Sequence, residues 1–206
     1  MNWELELTVY IVSLALCAMG FLFWVLYSPI RNFLFARHTV RFYYPTVRQV
    51  ALDEDIYLIN EFHHRTGLIE DFHIDHILIG EKYIYCIHDI YYNGTLLSNP
   101  NQERWAFYRG KRRSISVPNP LRNNLLRVER LGLLTPIGRG ILIPIVLIND
   151  DCYYIPFEQT DETGFFLSLK QLGKFVHLRE SELIDSIEPM AAEKLAQDLH
   201  RINLHE

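Results

Sequence analysis

Apolar and polar positions divide this chain into one unbroken apolar stretch and a longer region in which the period keeps changing. Residues 7–30 carry no charge, and an apolar run of that length crosses a hydrocarbon core of roughly 30 Å as one helix. Pro29 predicts a kink or an end there. Residues 74–79 and 83–92 are rich in β-branched and aromatic side chains around the polar break Gly80-Glu81-Lys82, which predicts two strands joined as a hairpin. Before them, Leu52, Ile56, Ile59 and His63 recur at helical spacing behind Asp53, Glu54 and Asp55, which predicts a helix over 53–64.

Further strands are predicted at 95–97, 104–108, 114–117, 141–148, 152–157 and 165–169. Nearly every residue of 141–148 is β-branched or Leu, the pattern of a strand buried on both faces, with Pro144 limiting regular pairing to Ile145 onward. Asn119-Pro120 supplies an N-cap and a first-turn proline, and Leu121, Leu125 and Val128 follow on one face, so a helix starts there. Helical turns are expected from Ser181, and a last helix over about 189–202 turns Leu195, Leu199 and Ile202 inward. The alternation of helices and strands predicts an α/β class, a central mixed sheet flanked by helices. The expected organisation is a tail and transmembrane helix over 1–30, a juxtamembrane connector over 31–50 and a folded domain over 51–206.

At 206 residues and 49% hydrophobic content the chain can bury one core of ordinary size. Glu4 and Glu6 precede the apolar run and no Lys or Arg does, which fits a cleaved signal peptide poorly. Arg31, Arg37, Arg41 and Arg48 follow it, so the expected topology is a single-pass cell-membrane protein with its N-terminus outside and its domain in the cytoplasm. Cys17, Cys86 and Cys152 form no close pair and no zinc-like spacing, in keeping with a reducing compartment. The net charge of −5 hides a basic stretch: between residues 101 and 130, Arg104, Arg109, Lys111, Arg112, Arg113, Arg122, Arg127 and Arg130 face only Glu103 and Glu129. Such a patch can attract the phosphates of a nucleic acid or of anionic lipid near the anchor, and Arg104, Lys111, Arg112, Arg113 and Arg122 are the candidate contacts to a nucleic acid, while Arg112-Arg113 in a turn is most often a solvated loop tip.

The candidate chemistry lies in the hairpin. A period of two places His73, Asp75 and Ile77 on one face of the first strand and Ile84, Cys86, His88 and Ile90 on one face of the second, so antiparallel pairing brings Asp75 near His88. Elsewhere, Gly138-Arg139-Gly140 lacks the lysine of a phosphate-binding loop, and no serine sits in a nucleophile elbow.

Ile74-Asp75-His76-Ile77-Leu78-Ile79, the turn Tyr92-Asn93-Gly94 and the helix start Asn119-Pro120-Leu121-Arg122-Asn123-Asn124 together resemble the nuclease-related domain, NERD, over roughly residues 50–180. The resemblance implies a PD-(D/E)xK nuclease-like fold, often beside a membrane span in bacterial proteins. It makes Asp75, His88, Glu54 and Asn123 the candidate catalytic positions. Where the family carries Glu-x-Lys this chain has His88-Asp89-Ile90, and where the helix carries Gln it has Asn123. Isoleucine cannot supply charge beside a phosphate, and histidine disfavours Mg²⁺, which prefers oxygen ligands.

Three readings of the site stay open. One is a degenerate, inactive nuclease site on a retained scaffold that serves as a binding module for a nucleic acid or a membrane-associated protein, with no cofactor expected. Another is a divergent nuclease acting on DNA near the membrane, with His73, Asp75 and His88 around Mg²⁺, Mn²⁺ or Zn²⁺ and Lys82 or an arginine replacing the lost lysine. The third has the same residues merely satisfying one another at the end of a sheet.

Overall fold

The computed structural model describes residues 3–65, 71–110, 113–135 and 139–204. Lys111, Arg112 and the expected helix stop at Thr66-Gly67 lie outside these. The chain forms two compact units, one ending at His38 and the other starting at Thr39.

The first unit is a single helix, α1 (Trp3–Arg37), of 35 residues. At about 1.5 Å per residue it exceeds the thickness of a bilayer core. Residues 6–37 are long and apolar enough to span a membrane, and Phe23, Trp24 and Leu14 stand exposed on its surface. Pro29 lies inside this helix and does not end it, one of the two outcomes expected there.

The second unit opens with α2 (Thr39–Asp53), most of which falls in the expected juxtamembrane connector over 31–50. Its Tyr43, Val47, Val50 and Ala51 are buried, so this segment belongs to the core. α2 closes with Asp55 in the left-handed conformation, and the amide of Ile56 reaches back to the carbonyl of Ala51. Asp53, Glu54 and Asp55 therefore mark a helix C-terminus, although acids are favoured at the other end. The helix expected over 53–64 is instead strand β1 (Tyr57–His64). Glu61, at φ 51°, breaks the alternation, so the buried Ile59 and Phe62 fall three apart and imitate a helical period.

β1 starts a five-stranded sheet with β2 (Phe72–Ile79), β3 (Ile84–Ile90), β7 (Leu142–Ile148) and β9 (Phe165–Ser168), in the order β1-β2-β3-β7-β9. β1, β2 and β3 run antiparallel to their neighbours, while β3, β7 and β9 are parallel. This is the mixed sheet expected. All seven residues of β7 are buried, and at roughly 1.5–3 kcal/mol for each large aliphatic side chain that strand dominates the core. Pro144 leaves the pairing with β3 unbroken, whereas the pairing with β9 begins at Ile145. A second, four-stranded sheet contains β4 (Thr95–Leu97), β5 (Arg104–Tyr108), β6 (Ser114–Pro118) and the short β8 (Tyr153–Tyr154), the regular remnant of the strand expected over 152–157.

α3 (Pro120–Leu134) starts as expected, with the Asn119 side chain accepting from the amides of Leu121 and Arg122. It packs mainly against β7. α4 (Leu169–Glu180) was not foreseen and ends where helical turns were expected to begin. Ser168 and Gln171 form its capping box, and only Leu172 and Val176 are buried on it, too sparse an apolar stripe to read from sequence. α5 (Pro189–Leu204) turns Leu195 and Leu199 inward as predicted, with Ile202 packed partly buried against the same core, and the helix lies against β1.

Candidate functional site

β2 and β3 remain paired from Ile79–Ile84 to His76–Ile87 and then part. Beyond that point β2 stays with β1, and β3 continues beside β7 through His88, Asp89 and Ile90. The Asp75 carboxylate bridges the fork. Its Oδ2 accepts from the Asp89 backbone amide at 2.9 Å and lies 2.6 Å from His88 Nδ1. The predicted meeting of Asp75 and His88 across the hairpin is therefore present.

His73 joins them, its Nε2 3.9 Å from Asp75 Oδ1 and its ring edge-on to His88 at 6.3 Å. His63, opposite His73 on β1, stacks on it at 5.7 Å between ring centres. Among the described residues, the ligand atoms of His73, Asp75 and His88 lie within 4.8 Å of one another. From α3, the Arg127 guanidinium acts on both Asp75 and His73, and its Nη1 is buried without a hydrogen-bond partner.

Electrostatics sort these groups. Burial alone would raise the Asp75 carboxyl, but the hydrogen bond and charge of His88 and the amide of Asp89 outweigh it and hold Asp75 below the ordinary carboxylate value. Burial, aided by the charge of Arg127, lowers His73, with Asp75 opposing. A neutral imidazole thus stands beside an ionised carboxylate.

Asp89 belongs to a different environment. Its Oδ2 lies 2.8 Å from His76 Nε2, both side chains are closed to solvent, and the His76 ring meets Tyr44 of α2. Burial raises the Asp89 carboxyl in spite of the His76 bond. Because side chains alternate along a strand, Asp89 projects from the face opposite His88 and adds no oxygen to the fork.

Two other sequence candidates are not gathered here. Glu54, at the end of α2, pairs with His177 of α4 at 3.1 Å. Asn123 is exposed on α3, and it is Asn124, fully buried, that faces the sheet and donates to the carbonyls of Cys86 and Ile145 at 2.9 Å each. Asn124 and Arg127 were the residues missed, although both continue the inward stripe of Leu121, Val128 and Leu131 and could have been found by extending it.

The family model of the nuclease-related domain matches residues 44–149, half of the chain. The chain belongs to the NERD family. No curated protein and no solved structure matches it. The matched segment runs from α2 to the end of β7 and so contains the fork. Ile90 packs against an apolar cluster that includes Leu96, Trp105 and Phe166.

NERD domains are nuclease-like and typically metal-dependent. The donors of this fork do not suit Mg²⁺: two of the three are imidazoles where that ion takes oxygens, and Asp89 points away.

Of the basic candidates, Arg104 is held by Ser116, with Nε on Oγ at 2.8 Å, and Arg122 pairs with Glu103 at 2.5 Å. Arg109 and Arg113 are exposed.

Proposed function

We propose that this NERD protein is a membrane-anchored module that binds rather than hydrolyses, held by α1 with its domain on the cytoplasmic side. The observation that carries the reading is the closure of His88 on Asp75, with Ile90 drawn into an apolar cluster at the lysine position. A hydrolytic centre needs charge poised at the scissile phosphate, commonly worth roughly 3 kcal/mol for each such group. Here one such group is replaced by an imidazole bound to the remaining acid, and the other by a hydrocarbon.

Its occupant is a nucleic acid or a membrane-associated protein. For the nucleic acid, Arg104, Lys111, Arg112, Arg113 and Arg122 supply the phosphate contacts. The test is DNA binding by the whole chain in detergent micelles over a salt series. Weak binding that falls steeply with salt, and is lost when Lys111, Arg112 and Arg113 are reversed to Glu, is the expected result. Binding unmoved by that reversal removes the patch, and no binding at all leaves the protein partner.

A divergent metal-dependent nuclease is the second reading. Arg127 favours it, because its guanidinium brings to Asp75 the positive charge that Ile90 lacks.

A further inference from the structure

We infer that His73, Asp75 and His88 form a binding site for one Zn²⁺ ion, with a fourth coordination position open to solvent and to an anionic ligand. This goes beyond the binding module proposed above and does not require that the protein cleave anything.

Geometry is the first support. The three ligand atoms come within 4.8 Å of one another. Two ligands on a tetrahedral zinc stand about 3.3 Å apart, given Zn–N and Zn–O bonds of about 2.0–2.1 Å. The contacts of 2.6 Å from His88 Nδ1 to Asp75 Oδ2 and of 3.9 Å from His73 Nε2 to Asp75 Oδ1 lie on either side of that separation. An ion bonded to His88 Nδ1 and to Asp75 replaces the hydrogen between them, and the ring keeps its single N–H on Nε2.

The donor set is the second. Two imidazoles and one carboxylate suit zinc, whereas Mg²⁺ calls for an octahedral array of oxygens. The strands also prepare the site. His73 and Asp75 are two apart on β2, His88 stands across the fork, and the Asp89 amide fixes the carboxylate from behind. His63 limits the swing of the His73 ring by stacking on it.

Access and charge define the open position. The His73 side chain is 46% exposed and that of Asp75 only 9%, so the site opens to solvent on the His73 side. Arg127, whose charge acts on Asp75 and His73 and whose buried Nη1 has no hydrogen-bond partner, opposes the charge of the ion and so favours an anion as the fourth ligand, which offsets that repulsion. A phosphate or carboxylate oxygen has that chemistry.

The experiment is equilibrium dialysis of the tag-free 206-residue chain in detergent against Zn²⁺, with Co²⁺ absorption to report coordination geometry. One Zn²⁺ per chain is expected, with Mg²⁺ failing to compete at a hundredfold excess and Co²⁺ giving a tetrahedral spectrum. His73→Ala, at a half-exposed position, should weaken binding at least tenfold, and Asp75→Asn should do the same. His200→Ala, exposed on α5, serves as the control and should bind as wild type. Circular dichroism confirms that each variant is folded. Absence of stoichiometric Zn²⁺ in the folded wild type, or retention of full affinity in His73→Ala, would overturn the site. Cleavage of DNA with Zn²⁺ bound would overturn the non-hydrolytic reading and leave the site standing.

Discussion

Asp75 Oδ2 holds two donors at once, the His88 ring and the Asp89 amide, at the point where β2 and β3 separate. The carboxylate completes hydrogen bonding that the diverging strands leave unmade, so it is structural as well as a candidate ligand. Because its native pKa is depressed, the stability it confers is present above the unfolded value, about pH 4, and is lost as pH falls through the lower native pKa. Asp75→Asn should therefore cost about 1–3 kcal/mol near neutrality, with the gap to wild type narrowing under acid. Chemical denaturation at several pH values checks this, and a gap that widens on acidification would contradict it.

His76 and Asp89 form a second pair, fully enclosed against α2. Removing one partner from such a pair leaves the other buried alone, so His76→Ala should cost about 3–5 kcal/mol. Asp89→Asn removes the charge but keeps a polar group, and burial already favours the protonated acid. It should cost clearly less. Equal losses in the two variants, measured by urea denaturation, would mean that the pair depends on the charge of Asp89 and that a neutral polar group cannot replace it.

Asn124 ties α3 to the two central parallel strands through Cys86 and Ile145. Asn124→Leu leaves both carbonyls without that donor and should lower stability by about 1–3 kcal/mol, whereas Asn123→Ala should stay within about 0.5 kcal/mol. The reverse order would restore Asn123 as the inward residue.

The arginines that follow the apolar run set the proposed orientation, with the domain in the cytoplasm. A reporter fused after Glu206 that is active only outside the cytoplasm should be silent. Activity of that reporter would reverse the orientation.

Much of this architecture was legible because strand signals are strong where both faces are buried. The hairpin of β2 and β3, the enclosed β7 and the Asn-Pro start of α3 all carry patterns that burial dictates. The errors occurred where tertiary contacts override local pattern. β1 reads as a helix because Glu61 resets its phase, α2 hides its buried Tyr43 and Val47 among arginines and a proline, and α4 buries too few side chains to show a stripe. Within the site, the strand period foretold that Asp75 meets His88 and that His73 shares the face of Asp75, but not that the charge of Arg127 acts on that carboxylate or that Asp89 pairs with His76. Those relations depend on how the strands diverge and on where along the sheet α3 is seated, which a linear pattern does not contain.

The most direct test of the central claim is hydrolysis of DNA by the 206-residue chain with Mg²⁺, beside Asp75→Ala and the double variant His88→Glu with Ile90→Lys. Losing two groups worth roughly 3 kcal/mol each lowers the rate by about four orders of magnitude, so wild type and Asp75→Ala should be indistinguishable from background. Metal-dependent cleavage above background in the double variant would show that the scaffold retains nuclease geometry. Cleavage by wild type that disappears in Asp75→Ala would contradict the account and establish a divergent nuclease.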